Sequence, residues 1–185
     1  VLVGNSAGGT ISVFTYLTYP QRIEALVLLD PAIYSGGGAP AFVRPLLGLP
    51  QMRHIGPLIS RSLVSDPQNL LNLAWHNPSQ ITPDILDGYA KAYQVENWDK
   101  ALWEFTIASR DLNLDTRLGE IRVPTLVITG DDDRIVPTQE SVNLASEIAN
   151  ADLIVLPACG HLPQEECPAG VMEAVNLFIT RLDSQ

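Results

Sequence analysis

The chain has 185 residues, of which 46% are hydrophobic and 17% are charged, and its formal net charge is -10. This length and composition suit a globular protein with one sizeable buried core. The acidic balance and the scattered lysines and arginines argue against nucleic acid or an anionic membrane surface as a partner. No apolar run reaches the roughly 20 residues that are needed to span a bilayer.

The first predicted elements are the end of a strand, a sharp turn and a helix in direct succession. Residues 1–3 are apolar, and residues 10–19 carry apolar side chains on one helical face until Pro20 ends the pattern. The six residues between them are too few for anything but a tight strand-to-helix turn.

A serine surrounded by glycines occupies this turn. Gly4, Gly8 and Gly9 flank Ser6 and are expected to supply the room that a close approach of strand and helix requires. The turn would project the Ser6 hydroxyl above the carboxyl-terminal edge of a sheet. It would also leave the backbone N–H of Ala7, at a helix N-terminus, free to stabilise an oxyanion.

Three further apolar runs predict strands at residues 25–29, 125–128 and 153–156. Continuous runs of leucine and β-branched residues are typical of strands that are covered on both faces in a parallel sheet. Helical patterns follow the last two runs, at residues 139–149 and 170–182. The predicted fold class is therefore α/β, with a parallel sheet of about four strands.

The segment 31–122 is too long for a single crossover between two parallel strands. It carries helical patterns, which lie at residues 41–47, 67–75, 83–93 and 98–109. We interpret it as a helical cap, with its return, inserted between core residues 1–30 and core residues 123–185. Gly36-Gly37-Gly38 is interpreted as a hinge into the cap, with a plain surface loop as the equal alternative.

Most aromatic side chains of the inserted segment are interpreted as cap packing, and a minority as the lining of an apolar substrate pocket. They are Trp75, Tyr89, Tyr93, Trp98 and Trp103.

Three consecutive acids follow the third predicted strand. A solvated acidic turn is the preferred interpretation for Asp131. One carboxylate of the three could accept a hydrogen bond from a histidine and fix its tautomer. The residues alone leave Asp132 and Asp133 as alternatives for this role.

A histidine follows the fourth predicted strand. His161 lies on a loop at the carboxyl end of that strand, where α/β sheets place their sites, and its pKa range suits proton transfer. His54 and His76 lie in the predicted cap and lack such a context.

Two cysteines and two glutamates also lie close to His161. Cys159 and Cys167 are interpreted as small, buried or half-buried thiols, because nothing in their spacing resembles a disulfide framework or a metal site. Glu165 and Glu166 are given a structural role, since no second cluster of ligands accompanies them.

Together these motifs resemble the α/β-hydrolase superfamily, in its cap-bearing branch of esterases, C–C bond hydrolases and related enzymes. The resemblance covers effectively the whole chain and includes the family's order of serine, acid and histidine along the sequence. In that family the acid precedes a short stretch ending in Val-Pro, which selects Asp133, and the base is the histidine of a Gly-His pair, which is His161. The implied catalytic residues are Ser6, Asp133 and His161.

The resemblance also implies which parts of the family's fold are present. Strands that the family places before the serine are missing, as is the loop that donates the second oxyanion N–H. We therefore expect a carboxyl-terminal fragment whose four strands lie side by side, with an exposed edge at the first strand. On this expectation the 185 residues alone are poorly stable and inactive.

The function implied by the resemblance is acyl transfer from a small, moderately apolar ester or related carbonyl substrate, including C–C bond cleavage. Ser6 would attack the carbonyl, His161 would shuttle the proton and Asp133 would stabilise the imidazolium. A serine rather than an aspartate at the turn disfavours dehalogenase and epoxide hydrolase chemistry, and no cofactor or metal is expected. The alternatives are a ligand receptor that retains the same residues and a cofactor-free oxygenase or lyase.

Overall fold

The computed structural model describes residues 1–34, 42–63, 66–109 and 112–184. The chain divides into two compact units. The sheet unit comprises Val1–Ser35, Leu73–Pro78 and Asn113–Gln185, and the helical unit comprises Gly36–Asn72 and Ser79–Leu112. The predicted hinge Gly36-Gly37-Gly38 lies outside the described residues.

Four parallel strands form the sheet among the described residues, and their spatial order is β1-β2-β3-β4. They are β1 (Leu2–Asn5), β2 (Leu26–Leu29), β3 (Thr125–Gly130) and β4 (Ala151–Leu156). The predicted α/β fold class and the predicted side-by-side order of the strands are confirmed. The third strand continues to Gly130, two residues beyond its apolar run, and the fourth begins two residues before its run.

Burial distinguishes the inner strands from the outer ones. Every residue of β2 and β3 is buried, as their continuous apolar runs predict. The same prediction is wrong for β4, where Val155 is 42% exposed, and β1 is open as well, since Val3 is 64% exposed. Each of these outer strands has a neighbouring strand on one side only in the described part of the chain.

The helices follow the predicted order with small shifts at their ends. They are α1 (Ala7–Thr18), α2 (Arg44–Leu47), α3 (Pro50–Leu63), α4 (Pro67–Ala74), α5 (Pro83–Ala90), α6 (Trp98–Ala108), α7 (Thr138–Glu147), α8 (Pro163–Glu166) and α9 (Pro168–Leu182). Helices α3 and α8 have no counterpart among the predicted helices. In α3, Pro50, Gly56 and Pro57 interrupt the pattern with poor helix formers. None of the described helices combines the length and the apolar composition that a membrane crossing requires.

Alternating residues of β2 supply two hydrophobic cores, one on each face of the sheet. Leu26 and Leu28 pack into a cluster with residues of α1 and α7, including Val13 and Leu144. Val27 and Leu29 belong to a second cluster with residues of α9, including Val171, Ala174 and Phe178. The sheet is thus held between helices in the way that its continuous apolar strands require.

Aromatic side chains pack inside the helical unit. The ring of Trp103 is buried against Gly56, where a Cβ would collide with the indole. Tyr93 and Trp98 form an edge-to-face pair with ring centroids 4.9 Å apart. The interpretation of Trp75 as cap packing is wrong, because it is buried in the sheet unit, on the short segment Leu73–Pro78.

The glycines around Ser6 differ in their need for space. A Cβ on Gly4 would collide with the carbonyl oxygen of Gly8, and a Cβ on Gly9 would lie 2.6 Å from the Cβ of Pro31. By contrast, a Cβ on Gly8 would meet no atom within 4 Å. The expectation that Gly8 supplies necessary room is therefore wrong, since its α-carbon faces open space.

This difference predicts opposite effects of two alanine substitutions in one turn. Gly4→Ala should lower the free energy of unfolding by about 1–3 kcal/mol or more, because the strand and the helix must separate. Gly8→Ala should be neutral or stabilising by up to about 1 kcal/mol, because alanine favours the helix. Urea unfolding of both variants checks the prediction, and equal destabilisation would contradict it.

Candidate active site

The turn between β1 and α1 holds Ser6 in a backbone conformation that few residues other than glycine adopt. Its φ is 52° and its ψ is -118°. The Ser6 N–H donates to the carbonyl oxygen of Leu29 (2.9 Å), and the Ser6 carbonyl accepts from the N–H groups of Gly9 (2.9 Å) and Ala32 (3.2 Å). These bonds fix the serine against the end of β2.

Helix α1 begins directly after the serine. Ala7 is its first residue, and the first N–H groups of a helix have no acceptor within it. The helix N-terminus also carries a partial positive charge. The backbone N–H of Ala7 thus lies at the N-terminus of α1, directly after Ser6.

A buried histidine–aspartate pair lies at the ends of β3 and β4. The Nδ1 atom of His161 donates to Oδ2 of Asp133 at 2.7 Å, and these side chains are 6% and 0% exposed. The other Asp133 oxygen accepts from the N–H groups of Ile135 (2.8 Å) and Val136 (2.9 Å). Burial opposes ionisation of Asp133, but the hydrogen bonds from His161, Val136 and Ile135 prevail and lower its pKa.

This pair defines the tautomer of the histidine. A carboxylate only accepts hydrogen bonds, so the proton of a neutral His161 ring is on Nδ1, facing Asp133. The Nε2 atom then carries a lone pair that can accept a proton.

The serine turn and the histidine loop are joined through the residue before Ser6. The Nδ2 atom of Asn5 donates to the backbone oxygens of His161 (3.1 Å) and Leu29 (3.2 Å). The hydrogen bonds of the described residues include none from the Ser6 hydroxyl to the His161 ring. Catalytic hydrogen bonds are often long before substrate binds, so the absence of this bond leaves the histidine a candidate base.

The two other acids after β3 have different partners. Asp132 binds Nδ1 of His76 at 2.8 Å and also binds Arg134, and hydrogen bonds from Arg134 and His76 lower its pKa. The exposed Asp131 accepts from the N–H of Cys159 at 3.3 Å. The placement of His76 in a cap is wrong, since it lies in the sheet unit, whereas His54 lies in the helical unit.

A single carboxylate fixes the loop that carries His161. Oxygens of Glu166 accept from the backbone N–H groups of Gly160 (2.7 Å), His76 (3.0 Å) and Asn77 (2.8 Å). The N–H of His161 donates to the carbonyl oxygen of Ala74 at 2.7 Å. The predicted structural role of Glu166 is thus to tie segment Leu73–Pro78 to the histidine loop.

The interpretation of the two cysteines as thiols is wrong. Cys159 and Cys167 form a disulfide, with α-carbons 6.3 Å apart. Helix α8 turns the chain back after His161, which brings residues eight positions apart within bonding range. The disulfide closes the loop that contains Gly160, His161 and Glu166.

The sequence analysis missed a second buried acid at this edge. Asp30, the residue after β2, is fully buried and has a φ of 42°. Its Oδ1 accepts from the Thr129 hydroxyl (2.7 Å) and the Gly130 N–H (3.1 Å). Burial is the largest of the influences that raise its pKa to about 8. Its position directly after an apolar strand is the signal that could have identified it.

Two groups of side chains bring potential metal-ligand atoms close together, but most of these atoms already have partners. One group is Asp30, Asp133 and His161, and the other is Cys159, Glu166 and Cys167. In the first group the imidazole and a carboxylate bind each other, and in the second the sulfurs form a disulfide and the carboxylate binds N–H groups. We therefore assign hydrogen bonding rather than cation binding to both.

The three contacts of Glu166 predict that glutamine cannot replace it. In Glu166→Gln one oxygen becomes an amide nitrogen, which cannot accept from the N–H groups that it would face. We expect a loss of about 2–4 kcal/mol in the free energy of unfolding for both Glu166→Gln and Glu166→Ala. Glu173→Gln, at an exposed position of α9, is the matched control and should change stability by less than about 0.5 kcal/mol. Urea unfolding that finds Glu166→Gln as neutral as the control would refute this role.

Proteins that are named as hydrolases are among those with sequences similar to this chain. A family model described as alpha/beta hydrolase fold matches residues 1–168. An uncharacterized hydrolase of Bacillus subtilis, YugF, is 34% identical over 184 residues, which cover 97% of this chain and 64% of that protein. The 2-hydroxy-6-oxononadienedioate/2-hydroxy-6-oxononatrienedioate hydrolase of Comamonas testosteroni is 30% identical over 170 residues, covering 89% of this chain and 57% of that protein. The chain thus spans less than two thirds of the length of these relatives.

Solved structures with the same arrangement of strands and helices include two hydrolases. The meta-cleavage product hydrolase CumD from Pseudomonas fluorescens IP01 has a TM-score of 0.68 at 21% identity, over 97% of this chain and 64% of that one. A thermophilic esterase from Thermogutta terrifontis has a TM-score of 0.68 at 21% identity, over the same shares of 97% and 64%. These likenesses concern the fold alone. Together with the family model and the sequence relatives, they lead to one conclusion: the chain belongs to the alpha/beta hydrolase fold family.

Proposed function

We propose that the protein is a serine hydrolase that acts by acyl transfer, with Ser6 as nucleophile, His161 as general base and Asp133 as the acid that orients the histidine. The observation that carries the proposal is the buried hydrogen bond of 2.7 Å between His161 and Asp133, at the sheet edge where the strained Ser6 turn also lies. A buried imidazole held by a carboxylate, at the same sheet edge as a serine that precedes a helix, supports activation of the Ser6 hydroxyl.

The reaction begins with the Ser6 hydroxyl. Its oxygen forms a bond to the carbonyl carbon of the substrate while Nε2 of His161 takes its proton, and Asp133 stabilises the resulting imidazolium. The carbonyl electrons move to its oxygen, which the Ala7 N–H at the start of α1 stabilises as an oxyanion. When the tetrahedral intermediate collapses, the proton passes from His161 to the leaving group. Water then repeats the sequence on the acyl-enzyme and releases a carboxylic acid.

The choice of Asp133 over Asp132 depends on how each carboxylate is bound. Asp133 accepts two backbone N–H groups and His161, so both of its oxygens are fixed and desolvated. Asp132 is less buried and is engaged by His76 and Arg134. A carboxylate that must hold one tautomer through each cycle needs the first environment.

The proposed substrate class is a small carbonyl compound, either an ester or a ketone that undergoes C–C cleavage. The second option is favoured by relatives that are named as hydrolases of 2-hydroxy-6-oxo-dienoates, at 30% to 33% identity. Both options use the same attack on a carbonyl carbon. An ester then expels an alkoxide, which takes the proton on oxygen, whereas C–C cleavage expels a carbon group, which takes the proton on carbon. A receptor that keeps these residues for ligand binding is the alternative from another class.

The experiment that tests the proposal combines an active-site probe with turnover in the full-length protein. A fluorophosphonate should label Ser6, and the protein should hydrolyse p-nitrophenyl acetate or a 2-hydroxy-6-oxo-dienoate over many cycles. Ser6→Ala should remove labelling and lower kcat by about 10³-fold or more, because no other group replaces the nucleophile. Ser146→Ala, at an exposed serine of α7, is the control and should retain both. A single turnover followed by a stable adduct would favour the receptor instead.

A matched pair of substitutions tests which acid orients the histidine. Asp133→Asn should lower kcat by about 10³-fold or more, because an amide cannot stabilise the imidazolium. Asp132→Asn should lower kcat by less than about tenfold, since its partners His76 and Arg134 are not part of the proposed mechanism. Steady-state kinetics on one substrate measures both, and the reverse order of effects would transfer the role to Asp132.

A further inference from the structure

Asp30 is a buried acid that the proposed mechanism does not use. It lies at the carboxyl end of β2, the inner strand between the serine turn and the acid loop, and none of its surface is exposed. Its Oδ1 accepts two hydrogen bonds, from Thr129 and Gly130, whereas its Oδ2 is buried with no donor among the described residues. A fully buried carboxyl oxygen without a donor is costly unless it carries a proton.

The groups around Asp30 supply a partner for such a proton. One carboxylate or imidazole atom from each of Asp30, Asp133 and His161 lies within 4.8 Å of the other two. Burial is the largest cause of the raised pKa of Asp30. The charge of Asp133 and a side-chain hydrogen bond with Asp133 also raise it. Two carboxyl groups this close in a buried site share one negative charge more readily than they carry two.

The donors decide which of the two acids keeps the charge. Asp133 accepts from two backbone N–H groups and from His161, and these three bonds favour its ionised form. Asp30 has two donors and is more completely buried. The proton therefore belongs on Asp30, where its Oδ2–H can donate to the carboxylate of Asp133.

We propose that Asp30 is a positioning residue of the active site, a protonated acid whose hydroxyl donates to Asp133 and so continues the hydrogen-bonded chain from His161 to β2. The proposal builds on the proposed function, because it concerns the same histidine and acid. Asp30 acts through Asp133: it fixes the plane of that carboxylate and lets the site hold one buried negative charge rather than two.

Ionisation of Asp30 sets an upper pH limit for this arrangement. The titratable groups that face it are Asp133 on the loop after β3 and His161 on the loop after β4. On the other side, β1 and Ser6 contain no titratable group, and His76 is held by Asp132. As pH rises through about 8, the pKa of Asp30, its proton is lost and two adjacent carboxylates repel each other. Activity should therefore fall on the alkaline side.

The decisive variant is Asp30→Asn in the full-length protein. Asparagine keeps a neutral side chain that can donate to Asp133 and accept from Thr129, but it cannot ionise. We expect kcat at neutral pH within about threefold of the native value, together with loss of the alkaline decline near pH 8. Asp30→Ala removes the donor and should lower kcat by about tenfold or more at every pH. Asp152→Asn, at the start of β4, is the control and should leave the pH profile unchanged.

A second variant changes the pKa of Asp30 and keeps both acids in the sequence. Thr129→Val removes the hydroxyl that donates to Asp30 and favours its ionised form. The pKa of Asp30 should then rise, and the alkaline decline should move up by about half a pH unit or more. An alkaline decline that persists in Asp30→Asn, or that stays in place in Thr129→Val, overturns the proposal.

A spectroscopic measurement separates this proposal from the proposed function, because it needs no substrate. Infrared difference spectra between about pH 6 and about pH 10 should contain the C=O stretch of one buried protonated carboxylic acid, absent from Asp30→Asn and present in Asp152→Asn. If this band is missing from the native protein, Asp30 is ionised and the proposal is wrong even where hydrolysis is normal. If the band is present but no substrate is turned over, the proposed function fails while the protonated acid stands.

Discussion

The parallel register of the sheet is the constraint on which the rest of the structure depends. Pairing of Asn5 with Leu29, Leu29 with Ile128 and Ile128 with Ile154 aligns the carboxyl ends of all four strands at one edge. Strands β1 and β2 then pass directly into Ser6 and Asp30, and the loops after β3 and β4 carry Asp133 and His161. A slip of one residue between two strands would move these side chains to the other face, and burial of the alternating cores on both faces opposes such a slip.

Several acids lie at one edge of the sheet, which would be unfavourable if they competed for the same hydrogen-bond donors. Each of them has separate donor groups. Asp133 binds His161 and backbone N–H groups, Asp132 binds His76 and Arg134, and Glu166 accepts three backbone N–H groups. Hydrogen bonds from these donors lower the pKa of Asp132 and of Asp133. Asp30 differs, because its surroundings favour the uncharged form.

The sequence predicts the strands, most helices and a histidine and an acid at one edge, because these depend on local patterns and on the carboxyl-end rule for parallel sheets. It does not reveal contacts that need the folded path of the chain. Neither the disulfide of Cys159 and Cys167 nor the return of segment Leu73–Pro78 to the sheet unit has a local signal. Asp30 does have a local signal, its position directly after an apolar strand, but its hydrogen bonds to Thr129 and Gly130, about a hundred residues away, do not.

The energetic cost of Asp30 is itself an argument for a role in function. An unfolded aspartate titrates near pH 4, whereas burial raises the pKa of Asp30 to about 8 in the folded chain. Between these values the folded state holds a proton that the unfolded state releases, so stability falls as pH rises through this interval. An apolar residue at the end of β2 would avoid this loss at neutral pH. Proteins keep such unfavourable buried groups chiefly where a site uses them, and the Asp133–His161 pair is the site within reach.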